Sequence, residues 1–141
     1  MAYTQDFPVA ARRHLKAAQT LFETQNAGAQ PGCKAVAGYL FGLSGELAVK
    51  QIMRKSGMMP QASDERRDDP FYAHFPEIKT QLRNTVRGRN AGILLKFSND
   101  SSLFQEWSID MRYAPTTDTK HRWIVAWKEN AERLVGEMDS V

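Results

Sequence analysis

The side chains of this chain best suited to moving protons or holding phosphate are its histidines and its surplus of arginine and lysine. A guanidinium can grip a phosphate with two parallel hydrogen bonds, and an imidazole can exchange a proton near neutral pH. Two Arg–His pairs are therefore candidates. Arg67 and His74 have six residues between them, and Arg112 and His121 have eight, with Pro115 breaking any helix that would place the second pair on one face. Glu46 is a third candidate, because it falls between Leu43 and Leu47, where an unpartnered carboxylate would be costly. Lys50, four residues on, can reach it locally, and Arg112 could reach it with a bidentate fork. The expectation is a Glu46–Arg112 tie, with His121 solvated. Lys79, Arg83 and Arg87, spaced by four, share one helical edge and form the best phosphate-facing stripe in the chain. Cys33, His14, His74 and His121 lie in separate segments with no second soft ligand at helical or finger spacing, so neither a metal site nor a cofactor is expected.

These residues need elements to position them. "DFPVAARRHLKAAQTLFETQ" puts Ala11, Leu15, Ala18 and Phe22 on one stripe and predicts a helix over 6–25. "NAGAQPG" is a turn, and "CKAVAGYLFGLSGELAVKQIMRKSG" then predicts a second helix with Val36, Leu40, Leu43, Leu47 and Ile52 near helical period. Gly38, Gly42 and Gly45 lie inside it, each costing about 1 kcal/mol against alanine, so a neighbouring helix must approach this small-residue face closely. A phosphate loop needs its glycines in a turn that opens a helix, and these are in a helix interior.

"PQASDERRDDP" reads as a charged connection. Asp69-Pro70 and Pro76 can each open a third helix carrying Ile78, Leu82 and Val86, which Gly88 ends. "GILLKF" fits either a buried strand or a helical turn. Ser102 and Gln105 form a capping-box pattern ahead of Leu103, Trp107 and Met111, predicting a short fourth helix that Pro115 stops. A fifth helix carries Ile124, Trp127, Ala131, Leu134 and Met138. The architecture implied is one all-α domain over residues 1–141, an antiparallel bundle of four to five helices.

Composition narrows the function classes. A formal charge of +3 permits contact with phosphate but is far from the charge density of an obligate DNA binder. One cysteine rules out an intrachain disulfide framework, and the absence of a signal-like or membrane-length apolar run predicts a cytoplasmic protein with no membrane partner.

"AGYLFGLSGELAVKQIMRKSGM", then "YAHFPEIKTQL", then "WSIDMRYAP" resembles, in that order, the HEPN domain family, over residues 8–136. The resemblance implies a helical bundle that forms a homodimer, works in bacterial defence, stress or toxin–antitoxin systems, and contacts RNA or a nucleotide. Nuclease branches of the family place an Arg, four to six residues and a His near the dimer interface for metal-independent attack of an RNA 2′-hydroxyl on its own phosphate. Arg112 and His121 miss that spacing; Arg67 and His74 meet it but flank a charged loop. The expectation is thus a binding or accessory protein without a clear nuclease signature. Glu46, Lys50, Arg112 and Tyr113 match positions that non-nuclease members carry. The alternatives are an active ribonuclease, with Arg67, His74, Arg112 or His121 catalytic, and a subunit that binds or neutralises a partner protein encoded nearby.

Overall fold

The computed structural model describes residues 3–24, 31–60, 68–86, 88 and 90–141. Their helices are α1 (Phe7–Glu23), α2 (Pro31–Lys55), α3 (Glu77–Thr85), α4 (Ala91–Asn99) and α5 (His121–Ser140), with no strand among the described residues. Most of the turn before α2 and the charged connection before α3 lie outside them.

Three long helices form the frame. α1 starts where the Asp6 side chain accepts a hydrogen bond from Val9 N, with Pro8 in the first turn, where its missing N–H costs nothing. Its predicted stripe packs inward, with Ala11 and Ala18 fully buried and Leu15 and Phe22 against the core. At one end of the frame Arg12 pairs with Asp139 and Arg54 reaches Gln5; at the other Phe22 stacks on His121. α1 therefore runs antiparallel to both α2 and α5. The last two run in the same direction, as Gly38 against Trp127 and Gly45 against Leu134 show. Buried Ser44 ties α2 to α1 by donating to Ala11 O at 2.7 Å.

α2 is enclosed on most sides, and this corrects its expected register. Val36 is half exposed, while Ala37, Phe41, Ala48, Val49, Ile52 and Met53 are the buried positions. A helix packed on several neighbours loses a single apolar stripe, and its small side chains mark the closest approaches. What fills those approaches also differs from expectation. A Cβ on Gly42 would stand 2.0 Å from the Trp107 ring, and one on Gly45 2.4 Å from Phe104, so two of the glycines receive aromatic rings from a loop rather than a helix. At Gly38 the neighbour is a helix, through Trp127 of α5 at 3.0 Å.

The predicted fourth helix is not formed. Residues 101–106 are turns and Ile109–Tyr113 is a short 3-10 turn. Instead of capping a helix, Ser102 donates through N and Oγ to Asp100 Oδ1, and Phe104 N donates to Asn130 Oδ1. Phe104 and Glu106 sit at φ 51° and 68°, a left-handed conformation costing about 1–2 kcal/mol per residue. Burial of Leu103, Phe104 and Trp107, each about 1.5–3 kcal/mol, outweighs that cost, and a straight helix could not seat both rings in the glycine notches. Trp107 Nε1 donates to Gly38 O at 3.1 Å, which fixes the start of the segment carrying Arg112. "GILLKF" resolves as helix, in α4, and α5 buries all five predicted positions.

Candidate functional site

On α2, Tyr39, Glu46 and Lys50 stand two turns and then one turn apart, and so on one side of the helix. Glu46 and Lys50 are buried, with 4% and 5% of their surface exposed. Lys50 Nζ donates to Glu46 Oε2 at 2.9 Å, the local pairing that the spacing allows. The other carboxylate oxygen is taken by His74, whose Nδ1 lies 2.7 Å from Glu46 Oε1. A carboxylate only accepts, so the proton is on Nδ1 and the ring turns its Nε2 away from Glu46. His74 precedes α3 by a short turn and is 43% exposed. No described residue bonds its Nε2.

This corrects the expected tie. Glu46 pairs with Lys50 and His74 and forms no ion pair with Arg112. Arg112 belongs to the 3-10 turn Ile109–Tyr113, is exposed, and stacks its guanidinium over Tyr113 at 4.7 Å. The Tyr39 phenol beside it is the main influence favouring its charged form. Arg112 remains near enough for its charge to be felt at His74. The hydrogen bond to Glu46 raises the His74 pKa above 6.5, against burial and the positive charges of Lys50 and Arg112. The protonated imidazole is thereby more favoured than in an ordinary histidine, and it would present an outward N–H.

The remaining predicted residues lie elsewhere. His121 opens α5 and is exposed as expected, its ring stacked on Phe22 at 5.9 Å and 12°, with no bond to Arg112. Arg67 and Arg87 lie outside the described residues, so of the Arg67–His74 pair only the histidine is placed. Lys79 and Arg83 do share an edge of α3, but that edge faces the C-terminal end of α4. Lys79 Nζ donates to Asp100 O at 2.8 Å and Arg83 to Ser98 O at 2.9 Å. Burial pushes the Lys79 pKa down, and Asp100 opposes the shift. Cys33 is half-buried in the first turn of α2. Among the described residues no group of three or more His, Cys, Asp or Glu side chains could hold a metal ion.

Sequence reasoning missed Tyr39 and the cleft beside it. A cleft of about 190 Å³ between the N-terminal half of α2 and the 3-10 turns is lined by Val36, Tyr39, Met111, Arg112, Thr116 and Thr119, among others. The signal for Tyr39 was present: it is seven residues before Glu46, two helical turns along the same face. The cleft itself depends on the turn conformation of the later segment, which a helical reading erases.

No known protein family matches the chain, and neither the curated proteins nor the solved structures contain a match to it.

Proposed function

We propose that this chain is a HEPN-like helical binding module that contacts the phosphate of RNA or of a nucleotide through Arg112 and His74. Glu46 and Lys50 form the buried support that orients the imidazole. In this reading the protein is the cytoplasmic, homodimeric binding or accessory component of a bacterial defence, stress or toxin–antitoxin system, in keeping with the resemblance of its three sequence blocks. The observation that carries the phosphate assignment is the half-exposed His74 whose Nδ1 is held by buried Glu46, with the exposed Arg112 guanidinium within range for its charge to act on the imidazole. A guanidinium and an imidazolium together match the charge and the acceptors of a phosphate. Fluorescence anisotropy with a labelled RNA oligonucleotide across a salt series tests it. Binding at low salt that weakens as salt rises, and that Arg112→Ala and His74→Ala each reduce about tenfold or more, is the expected result. Absence of binding at low salt overturns the proposal.

The same geometry favours a second reading, a metal-independent ribonuclease. Neutral His74 with its proton on Nδ1 has an Nε2 lone pair able to take the proton of a 2′-hydroxyl, and Arg112 can stabilise charge on the attacked phosphate. The 2′-oxygen would attack the adjacent phosphorus as the bond from phosphorus to the 5′-oxygen breaks, forming a 2′,3′-cyclic phosphate; the leaving 5′-oxygen takes a proton from water, and the proton on His74 Nε2 returns to solvent. RNA cleavage in EDTA that disappears in His74→Ala would establish this reading. Intact RNA after incubation with the purified protein would remove it.

A further inference from the structure

The cleft beside Arg112 adds a feature that phosphate contact does not require. Its walls are mixed: Ala35 and Val36 of α2 and Met111 and Ala114 opposite supply apolar surface, while Arg112, Thr116 and Thr119 bring polar groups to it. Tyr39 and Arg112 both line this cleft, with the Tyr39 phenol beside the Arg112 guanidinium, so the cleft has a cation at its rim. The Tyr39 ring is stacked on buried Trp107 at 5.8 Å and 14°, and Trp107 is anchored to Gly38 O, so this wall is held in place without a ligand. At about 190 Å³ the cleft is smaller than the roughly 300–1,000 Å³ of sites that enclose a drug-sized ligand. It suits one planar ring system, gripped on its faces by methyl, thioether and aromatic groups and along its edge by hydroxyls.

We propose that this cleft is a base subsite, so that the ligand is a nucleoside phosphate with its heterocycle between α2 and the 3-10 turns and its phosphate at Arg112 and His74. The proposal rests on the phosphate-binding reading above and narrows it, because a site for phosphate alone has no use for the alanine, valine and methionine surface in the cleft beside Arg112. A free mononucleotide and a nucleotide within single-stranded RNA offer the same ring and phosphate, and the cleft would take either.

Isothermal titration calorimetry on the full chain tests the subsite with AMP, UMP, adenosine, ribose 5-phosphate, inorganic phosphate and hexaadenylate. At least one of the two nucleotides should bind about tenfold or more tightly than ribose 5-phosphate. Ala35→Leu, which fills the cleft, should abolish that difference and leave inorganic phosphate binding unchanged; Thr116→Val, a milder change at the hydroxyl edge, should reduce it. Arg112→Ala should weaken every phosphate-bearing probe. Hexaadenylate binding more tightly than AMP identifies RNA as the source, and the reverse identifies the free nucleotide. The subsite is overturned if ribose 5-phosphate binds as well as both nucleotides, or if neither cleft variant changes the difference. In those cases phosphate binding lost with Arg112→Ala leaves the broader reading standing. Adenosine binding as tightly as AMP, with inorganic phosphate not binding, overturns the phosphate reading and leaves only a cleft for the base.

Discussion

Two clusters of cations among the described residues differ in their bonding. Beside α3, Lys79 and Arg83 donate to Asp100 O and Ser98 O, and Arg133 makes a long contact to Asp100 Oδ2. These cations tie the C-terminal end of a nine-residue helix to its neighbours, a task any short helix leaves open. Beside α2, Glu46 accepts from both Lys50 and His74, yet the His74 ring keeps an outward nitrogen, and Arg112, whose charge acts on it, stays exposed. What separates a candidate site from a structural tie is donor capacity directed outward, not the density of positive charge. The α3 edge has the more regular spacing in sequence, and the α2 cluster keeps a donor turned outward.

Removing Glu46 gives the largest expected effect. Glu46→Ala leaves the Lys50 ammonium buried without its carboxylate and releases His74, and loss of one partner of a buried pair costs about 3–5 kcal/mol. Chemical denaturation should show a correspondingly lower midpoint. Lys50→Met in the same background should recover part of the stability without restoring RNA binding, because the imidazole would still lack its support. A double variant as unstable as the single one would show that the buried pair is not the source of the loss.

A proton titration gives a smaller effect, confined to the α2 cluster. The His74 pKa is raised in the folded protein above the ordinary 6.5, mainly by the hydrogen bond to Glu46. A raised folded value means that the extra stability is complete below the ordinary value and is lost as pH rises through the folded one. Phosphate affinity should fall over the same window, since neutral His74 no longer presents an outward N–H. Imidazole chemical shifts followed by NMR from about pH 5.5 to 8.5 should place the transition, and Glu46→Gln should move it lower. A His74 transition at or below the ordinary value in the wild type would remove Glu46 from this role.

Helices α1, α3 and α5 were legible because each buries one stripe, and Ile124, Trp127, Ala131, Leu134 and Met138 all turn inward as spaced. The glycines of α2 announced a close approach but not its source, since the rings of Phe104 and Trp107 arrive from positions that helical periodicity also explains. Leu103, Trp107 and Met111 were correctly placed against the core, but in the wrong backbone conformation, because tertiary seating of two rings outweighed local preference. The site followed the same division. Glu46 with Lys50 is a local contact and could be read from spacing, whereas Glu46 with His74 joins residues 28 apart and depends on the path of the chain into α3.

Arg83→Ala is the smallest change and discriminates best between the two clusters. Its hydrogen bond to Ser98 O joins an exposed side chain to a helix end, so its loss should cost about 0.5–1.5 kcal/mol, seen as faster amide exchange in α4 and a slightly lower denaturation midpoint. RNA affinity should stay within about twofold of wild type, and the slope of affinity against salt should not change. A cation that contacts phosphate behaves otherwise: removing it weakens binding on every sequence and lowers the salt slope by about one. If Arg83→Ala shows that behaviour and Arg112→Ala does not, the ranking of the two clusters reverses, and the evenly spaced edge of α3 is where phosphate binds.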